Sequence, residues 1–304
     1  MRDTRTPWTQ RLGRTPGRVL RTLVRHGPEP VRRFAARVPY SRLSTLAFDL
    51  LRGRDRVTWR GCTLEVDPGE LSGYYLYVLG DYEPTEIDTL VDLCRDARVF
   101  ADVGSHTGLT ALAVTRGCSQ LQTFAFEPDA NAAARFERNL VLNPDLVSRV
   151  HLQHTAMGEV IGRAGFTPSD DPKNTQVGRL ASSTIGAAGP ASVSVRVNRL
   201  DAFFADRALA PDVVKIDVEG AELQVLRGMS GLFEQDGPRA MVIEVHGFYF
   251  GESAGAFQEE LATLLMNAGY HLRRLDNGTW RQAEDPPTWP GRCHLLCTRD
   301  GAAV

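Results

Sequence analysis

The stretch "VVKIDVEGAE", residues 213–222, places charged side chains within an apolar strand pattern. Lys215, Asp217 and Glu219 alternate with apolar residues, so they face the opposite side of the predicted strand. Central parallel strands are usually apolar on both faces, and an unpaired buried ion is costly. These charges are therefore expected to be paired, solvated in a cleft, or used to bind a ligand.

Other predicted strands also end in polar side chains. Asp102 lies near the end of one strand, and Glu127 ends the next strand along the chain. Glu244 and His246 end the segment "RAMVIEVH". In an open α/β sheet the ligand crevice lies beyond the carboxyl ends of the strands. The sequence therefore predicts a ligand site at this edge of the sheet.

Strands and helices alternate along the chain and must position these residues. Strands are predicted in "RVFADVG", "LQTFAFEP", "RVHLQHTAMGE", "VVKIDVEG" and "RAMVIEVHG", with helices between most of them. Two closing strands are predicted in "YHLRRLDNGTW" and "RCHLLCTRD". This alternation predicts an α/β fold with a doubly wound, mostly parallel, Rossmann-like sheet.

Composition narrows the class of protein. The chain has 304 residues, a hydrophobic fraction of 42% and a net charge of −2, which fits one α/β domain with an extension. No apolar run reaches the roughly 18 residues of a transmembrane helix, and no secretory signal is evident, so a cytoplasmic location is expected. No nucleic-acid-binding motif is present, so no nucleic-acid partner is expected. Five scattered cysteines predict reduced thiols rather than disulfides or a zinc site.

Residues 1–60 are predicted to form a basic helical extension to a domain of residues 61–304. Apolar residues at helical spacing predict two or three short amphipathic helices between Leu20 and Leu50. Packing on the main domain is the favoured role of this extension. Peripheral contact with an anionic membrane or an acidic partner is an alternative, and a transit peptide is another.

Residues 162–192 interrupt the alternation of strands and helices. The segment is rich in Gly, Ser, Pro and Ala. A structureless stretch of this length inside a compact domain tends to be a lid, a binding loop or a disordered insert. A substrate-facing loop is the favoured interpretation, and disorder is the alternative.

The glycine turn after Asp102 indicates the kind of ligand. Dinucleotide folds use a denser G-x-G-x-x-G turn, which places a pyrophosphate on a helix N-terminus. Here the middle glycine is absent, and the carboxylate of Asp102 favours a cationic group over a phosphate. Glu127 stands where a carboxylate can accept hydrogen bonds from both hydroxyls of a ribose. S-adenosylmethionine has a ribose, a sulfonium and an ammonium but no phosphate, so it fits this pattern better than NAD.

The chain resembles the class I S-adenosylmethionine-dependent methyltransferases, specifically the FkbM type. The matching segments are "GDYEPTEIDTL", "VFADVGSHTG", "FAFEP", "RLDAFF", "VVKIDVEGAELQVLRGM", "VIEVHG" and "HLLCTRD", in the order of the family. They cover about residues 61–299, and "KIDVEGAE" is the most specific of them. The resemblance implies a seven-stranded sheet whose last strand is antiparallel.

The resemblance also implies which residues contact the cofactor, S-adenosyl-L-methionine. Glu83, in the "YEP" segment, is implied to reach the cofactor pocket. His106 departs from the family pattern, in which small or aliphatic residues are commoner, and we interpret it as a backbone-dominated position of the turn. The other implied contacts are Asp102, Gly104, Ser105, Gly108, Glu127, Pro128, Ala156, Met157 and Asp217.

Methyl transfer to a hydroxyl requires an aligned oxygen nucleophile and a base that takes its proton. His246 is the predicted base because its ordinary pKa lies near neutrality, and a histidine that is merely hydrogen-bonded at a strand end is the alternative. Asp217 is predicted to contact the cofactor amine or to serve as the base itself. Glu219 and Glu244 are predicted to orient the site or to hold Lys215.

The leading functional hypothesis is an O-methyltransferase acting on a small hydroxylated molecule, such as a sugar, a polyketide or another secondary metabolite. A nicotinamide-dependent oxidoreductase on a similar fold is one alternative. A catalytically idle cofactor-binding protein, which acts on a partner through its basic helices, is another. No metal site is predicted, because Asp217 and His246 have no third ligand at a fixed spacing. The sequence does not indicate an oligomeric state.

Overall fold

The computed structural model describes residues 53–169, 178–180 and 192–299, together with residues 21, 22, 24, 26, 28–37, 51, 171 and 175. The chain divides into two compact units. The first comprises Met1–Pro84 with Ser169–Gln176, and the second comprises Thr85–Pro168 with Val177–Val304. This division falls after Pro84 rather than at the predicted residue 60. A boundary at residue 60 would cut a β-hairpin, in which Trp59 pairs with Cys62.

The described part of the first unit includes a helix, a hairpin and an irregular helix. The hydroxyl of Tyr74, in the irregular helix, donates a hydrogen bond of 3.0 Å to the carbonyl of Ala35 in the other helix. The helix that contains Ala35 begins at Glu29, directly after Pro28. The elements are α1 (Glu29–Arg37), β1 (Asp55–Trp59), β2 (Cys62–Val66) and α2 (Leu71–Tyr74), which continues as a π-helical segment, Tyr75–Leu79. The predicted helical positions Leu20, Leu23, Val38, Leu43, Leu46 and Leu50 lie outside the described residues.

The second unit contains two sheets and the helices that cover the larger one. Its strands are β3 (Val99–Val103), β4 (Gln122–Phe126), β5 (Val150–Gln153), β6 (Ala156–Met157), β7 (Gly162–Thr167), β8 (Arg179–Leu180), β9 (Val193–Asn198), β10 (Val213–Ile216), β11 (Ala240–Val245), β12 (His271–Asp276), β13 (Thr279–Gln282) and β14 (Cys293–Thr298). Its helices are α3 (Pro84–Cys94), α4 (Leu109–Gly117), α5 (Ala130–Val141), α6 (Leu200–Ala205), α7 (Glu222–Arg227), α8 (Ser230–Phe233) and α9 (Ala254–Asn267), with 3₁₀ segments at Gly247–Ser253 and Pro286–Thr288.

The larger sheet has the strand order β13-β12-β14-β11-β10-β3-β4-β5. Strands β3, β4, β5, β10 and β11 are parallel, which confirms the doubly wound, mostly parallel α/β architecture. The last strand, β14, is antiparallel to β11, also as predicted. The chain crosses from one half of the sheet to the other between β5 and β10, so β3 and β10 are neighbours with helices on either side. Their carboxyl ends form the switch point at which ligands bind in such folds.

The sheet has eight strands rather than the predicted seven. The segment "YHLRRLDNGTW" was expected to be one strand, but it forms the hairpin of β12 and β13. Asn277 and Gly278 have φ values of 48° and 77°, as the tight Asn-Gly turn of a hairpin requires. The indole Nε1 of Trp280 donates a hydrogen bond of 2.8 Å to Thr89 Oγ1, which fixes the added strand against α3.

The core lies on both faces of this sheet. Val213 and Val214 are neighbours in β10 but belong to two different clusters of buried side chains. Phe204 and Leu261 pack with Val214, whereas Leu90 packs with Val213. Burying an aliphatic side chain stabilises the fold by roughly 1.5–3 kcal/mol, so the doubly covered strands form the rigid part of the unit. No helix among the described residues has both the length and the apolar character needed to cross a membrane.

The smaller sheet occupies part of the segment predicted as a structureless loop. It has the order β6-β9-β7-β8, and β7 pairs antiparallel with β9 along its length. Phe166 is buried in it, although the surrounding "GRAGFT" is rich in glycine. The third strand of the large sheet ends at Gln153, and Ala156–Met157 pairs with β9 instead. The predicted loop residues 170, 172–174, 176, 177 and 181–191 lie outside the described part of the chain.

Candidate active site

Two glycines shape the turn that connects β3 to α4. Gly104 has a φ of +83°, and a Cβ there would lie 1.7 Å from the carbonyl oxygen of Asp217. Gly108 has a φ of +82°, and a Cβ there would lie 2.3 Å from the ring of Phe136. Only glycine fits both positions, since each combines a left-handed backbone with a close neighbour. The ends of β3 and β10 therefore meet with no side chain between them, and we call this contact the Gly104 junction.

Glu127, at the end of β4, holds the glycine turn through its carboxylate. Its two oxygens accept backbone N–H hydrogen bonds from His106 (2.8 Å) and Asp129 (2.7 Å). Burial raises the pKa of Glu127 to about 8, although both hydrogen bonds act to lower it. An ionised carboxylate offers about four acceptor sites, so about two remain for ligand hydroxyls. Glu127 therefore fits the predicted role of holding a ribose.

Two further residues of the predicted cofactor site have polar atoms with no hydrogen-bond partner among the described residues. Asp102 is fully buried, and no described residue is in hydrogen-bonding geometry with either of its carboxylate oxygens. Burial raises its pKa to about 6, although the ammonium of Lys215 in the neighbouring strand and the backbone of Ala111 act to lower it. The buried hydroxyl of Ser105 likewise lacks a partner among these residues. Because buried polar groups are rarely left unsatisfied, these atoms fit a polar, cationic ligand such as S-adenosylmethionine.

The remaining predicted cofactor residues differ in how the structure places them. His106 has a φ of +47° and contacts Glu127 through its backbone, as expected of a backbone-dominated turn position. Burial lowers the pKa of its imidazole to about 3, so the ring is neutral. Pro128 is partly buried directly after Glu127. Ala156 and Met157 are buried in the smaller sheet, and Glu83 lies in the first unit; their cofactor contacts stay predictions.

Lys215 is held by carboxylates other than those predicted. Its Nζ lies 2.9 Å from Asp217 Oδ2 and 3.9 Å from Glu86 Oε1 of α3. The prediction that Glu219 or Glu244 holds Lys215 is therefore wrong. The backbone leaves the strand direction at Glu219, which has a φ of +52°, so the alternation of faces ends before this residue. The Asp217 carboxylate that was expected near the cofactor is thus paired with an ammonium.

His246 lies at the end of β11 among carboxylates. It is 1% exposed, and its Nδ1 lies 2.7 Å from Glu222 Oε1. Its Nε2 lies 3.4 Å from Glu219 Oε2 and 3.5 Å from Glu244 Oε1. Burial alone would lower the pKa of His246, but hydrogen bonds to Glu222 and Glu244 and the charges of Asp217 and Glu219 raise it to about 11. The ring is an imidazolium at neutral pH, and this charge state argues against its predicted role as the base.

Glu222 makes more contacts within the candidate site than the sequence indicates. As the first residue of α7 it lies where the helix dipole favours an acid. In the structure it is fully buried, and its Oε1 also accepts a hydrogen bond of 3.0 Å from the backbone N–H of Gly220. Glu222 thus connects the turn after β10 to the imidazolium of His246, which lies at the end of β11.

Glu244 extends the cluster to the last strand of the sheet. Its carboxylate pairs with Arg292 and lies 3.8 Å from His294 Nε2. Burial would raise its pKa, but His246, His294 and Arg292 together hold it well below its usual range. The Nδ1 of His294 lies 2.5 Å from Glu86 Oε2. Glu244 is therefore an ionised partner of His246, and its predicted role in orienting the site stays a prediction.

Glu219 is a partly exposed acid of this cluster with a raised pKa. The hydroxyl of Tyr249 donates a hydrogen bond of 2.7 Å to its Oε2, and 14% of the side chain is exposed. Burial raises its pKa to about 7; His246 and Tyr249 act to lower it, and Asp217 and Glu244 to raise it. Glu219 thus changes its charge within the physiological pH range.

Three residues beside Glu219 were not predicted from the sequence. Phe248 is 50% exposed, and its ring centroid lies 4.2 Å from that of Tyr249. The guanidinium of Arg179 lies 4.9 Å from the centroid of the Tyr249 ring, at cation–π distance. The aromatic run "HGFYF" directly after a polar strand end was a usable signal for Phe248 and Tyr249. Arg179 lies in the segment that was predicted to be a loop, and its position depends on the pairing of β7 and β8.

No third ligand for a metal ion shared by Asp217 and His246 was predicted from the sequence. The structure adds Glu219, so that one oxygen or nitrogen of each residue lies within 4.8 Å of the others. Nδ1 of His246 already contacts Glu222 Oε1 at 2.7 Å. The expectation that no metal binds here stays a prediction, which chelation tests.

Comparison with known proteins identifies the family of this chain and two of its relatives. The sequence matches the profile described as the methyltransferase FkbM domain over residues 102–272. The 2-O-methyltransferase NoeI of Sinorhizobium fredii is 31% identical over 143 residues, which cover 43% of this chain and 56% of NoeI. The hexuronic acid methyltransferase AglP of Haloferax volcanii is 28% identical over 187 residues, which cover 61% of this chain and 69% of AglP.

A solved structure is also similar. The crystal structure of methyltransferase FkbM from Methylobacillus flagellatus KT superimposes with a TM-score of 0.43 at 18% identity, covering 66% of this chain and 44% of that one. The chain spans a little over half the length of NoeI, with 56% covered. The profile match covers more than half of the chain and includes the glycine turn, Glu127 and "KIDVEGAE". It favours methyl transfer over the nicotinamide-dependent alternative. The chain belongs to the methyltransferase FkbM domain family, and the family and fold together imply a methyl donor of the S-adenosylmethionine type.

Proposed function

We propose that this protein transfers a methyl group from S-adenosylmethionine to a hydroxyl of a small, sugar-like molecule. The observation that carries the proposal is the Gly104 junction. It brings the glycine turn held by Glu127 next to the acids that follow β10, Asp217 and Glu219. Residues suited to holding a methyl donor thus adjoin residues suited to activating a hydroxyl.

The donor side of the site, defined as the turn Gly104–Gly108 with Asp102 and Glu127, would hold S-adenosylmethionine. Glu127 has acceptor sites left for ribose hydroxyls, and the carboxylate of Asp102, which has no hydrogen-bond partner among the described residues, suits a cationic group. The two acids make the site unfavourable for a pyrophosphate. When bound, the donor would supply an electrophilic methyl group on a sulfonium. The residues of the protein would then hold and orient the donor and the acceptor and take the proton of the acceptor hydroxyl.

A sugar-like acceptor is supported by the groups beside Glu219. Phe248 exposes half of its ring, which offers an apolar face of the kind that ligand sites present. Tyr249 and Arg179 add a ring with a polar tip and a cation that can hydrogen-bond to oxygen-rich groups. The names of the relatives, a 2-O-methyltransferase and a hexuronic acid methyltransferase, support a sugar hydroxyl as the acceptor.

Calorimetry tests the donor site. We expect the full chain to bind S-adenosylhomocysteine and not NAD, and Glu127→Gln to bind S-adenosylhomocysteine about tenfold or more weakly, since a charge-assisted hydrogen bond contributes roughly 1.5–3 kcal/mol. Glu137→Gln, in the exposed pair of Glu137 with His154, is the matched control and should bind normally. Because burial raises the pKa of Glu127 to about 8, the carboxylate ionises as the pH rises from 7 to 9. The affinity of the parent protein should therefore rise over this range, by up to about tenfold, while Glu127→Gln stays flat.

Two outcomes would contradict the proposal. Unchanged affinity in Glu127→Gln would remove Glu127 as the residue that holds the ribose. Failure of the parent protein to transfer a labelled methyl group to any member of a panel of sugars and sugar acids would contradict the acceptor class, and would favour the catalytically idle alternative.

A further inference from the structure

We propose that Glu219, rather than His246, takes the proton of the acceptor hydroxyl, while His246 remains a fixed positive charge that positions it. This proposal rests on the O-methyl transfer proposed above. The ordinary pKa values would suggest the reverse, with the histidine as the base and the glutamate as a fixed charge.

The backbone at Glu219 is held in a strained conformation close to the Gly104 junction. Glu219 follows Asp217 by two positions and has a φ of +52°, a left-handed conformation that non-glycine residues rarely adopt. The surroundings maintain it: Gly220 donates its N–H to Glu222, and a Cβ on Gly220 would lie 3.1 Å from the ring of Tyr249. Strain of this kind persists where the position of a side chain matters.

The two carboxylate oxygens of Glu219 have different surroundings. Oε2 accepts the hydrogen bond from Tyr249 and lies 3.4 Å from His246 Nε2. Oε1 accepts no hydrogen bond from the described residues, and the side chain remains partly exposed. One oxygen is therefore held in place while the other is available to an incoming hydroxyl. A base needs this combination of fixed orientation and free lone pairs.

The charges around Glu219 nearly balance. His246 contributes a positive charge and Asp217 and Glu244 contribute negative ones, while Tyr249 donates a hydrogen bond and Arg179 lies beyond its ring. Burial and the two acids raise the pKa of Glu219 to about 7, although His246 and Tyr249 act to lower it. Proton transfer is most efficient when the pKa of the base lies near the working pH.

The other candidate bases are committed to partners. His246 donates from Nδ1 to Glu222 and is already protonated, so it has no lone pair to take a proton. Asp217 accepts a hydrogen bond of 2.9 Å from the ammonium of Lys215 on its Oδ2. Glu222 also has an oxygen without a partner among the described residues, Oε2, but its side chain is fully buried, whereas that of Glu219 is partly exposed.

The proposed step balances in atoms and charge. The acceptor oxygen forms a bond to the methyl carbon, and its proton moves to Oε1 of Glu219. The electron pair of the carbon–sulfur bond that breaks remains on sulfur and cancels the sulfonium charge. Glu219 then releases its proton to solvent and returns to the ionised form. His246 keeps its charge throughout.

The test compares Glu219→Gln with Glu252→Gln in the full chain. Glu252 is an exposed acid on the same 3₁₀ segment as Tyr249. Glu252→Gln therefore makes the same Glu-to-Gln change at a residue outside the cluster around His246. We expect Glu219→Gln to lower kcat at least about 100-fold, within the range that a placed base supplies, and to keep its affinity for S-adenosylhomocysteine within twofold. The kcat/KM of the parent protein should rise with pH through about 7, and Tyr249→Phe should shift this rise to higher pH, because the lost hydrogen bond had lowered the pKa of Glu219.

A second measurement does not depend on activity. In ¹⁵N-histidine NMR, we expect both nitrogens of His246 to remain protonated from pH 6 to 9, with a small shift near pH 7 that disappears in Glu219→Gln. Loss of the His246 proton near pH 7, or near-normal turnover in Glu219→Gln, would overturn the proposal. If the parent protein itself neither bound S-adenosylhomocysteine nor transferred a methyl group, the proposed function would fail first, and the NMR result would still decide which group titrates.

Discussion

The two sides of the Gly104 junction are built by different means. The donor side depends on backbone: two glycines with left-handed conformations and amide hydrogens that bind one carboxylate. The side that would receive the acceptor depends on charged side chains; we call it the acceptor side and define it as residues 217–222 with Glu244 and His246. Its members contact one another at 2.7–3.5 Å across three elements of the second unit.

This difference determines what each side tolerates. Backbone amides are fixed by the strands and lose little entropy when they bind, but they leave no space for a side chain. A buried network of charges can be tuned through the pKa of each member, yet removing one member leaves another uncompensated. We therefore expect the donor side to be sensitive to added volume and the acceptor side to be sensitive to lost charge.

Gly104→Ala should produce the largest effect on stability. Its Cβ would overlap the Asp217 carbonyl oxygen at 1.7 Å and would force the ends of β3 and β10 apart. We expect a loss of roughly 3 kcal/mol or more in the free energy of unfolding, measured in urea. Gly269→Ala is the matched control, because Gly269 has a similar φ of +86° with nothing within 4 Å, and should cost only about 1 kcal/mol. Equal losses would show that conformation alone, not the close approach, requires glycine at residue 104.

Glu222→Gln should produce the next largest effect, on the acceptor side. The substitution keeps the shape of the side chain but leaves the buried imidazolium of His246 with one carboxylate fewer. We expect the free energy of unfolding at pH 7 to fall by about 2–3 kcal/mol and the pKa of His246 to fall with it. Glu260→Gln removes an exposed partner of Arg227 and should change stability very little, since surface ion pairs contribute little. A similar loss in the two variants would mean that the buried charges contribute no more than surface charges do.

Chelation should have the smallest effect. If the acceptor side is held by an imidazolium, treatment with EDTA and dialysis should leave methyl transfer unchanged, and added Mg²⁺ should not raise it. Loss of activity that Mg²⁺ restores would show that Asp217, Glu219 and His246 share an ion, and that the acceptor side is neutralised by a metal instead of a proton.

The sequence predicted much of the order of strands and helices, and less of the side-chain contacts within the site. The alternation of strands and helices placed Asp102, Glu127 and Asp217 at one edge of the sheet, because strand ends follow from local pattern. It could not find Glu86 as a further partner of Lys215, since Glu86 lies on a helix more than a hundred positions away and no periodicity connects the two. The charge state of His246 was missed for a similar reason, as it depends on carboxylates from separate elements.

Two departures in the fold have local explanations. The eighth strand was recognisable from Asn277 and Gly278, whose adjacency is a strong hairpin signal. The smaller sheet was not, because strand β7 reads "GRAGFT" and its glycines carry almost no β-propensity. Its pairing with the distant strands β9 and β8 makes it a strand, and Arg179 is positioned through the pairing with β8.

The buried imidazolium also has a consequence for the energetics of folding. The pKa of His246 is about 11 in the folded protein against an ordinary value of 6.5, so its stabilising contribution is complete below pH 6.5 and is lost as the pH rises through 11. Between these limits each molecule that folds takes up a proton from the solvent at this residue. The heat of unfolding therefore includes the ionisation enthalpy of the buffer, and a calorimetric scan at pH 8 in Tris will differ from one in phosphate.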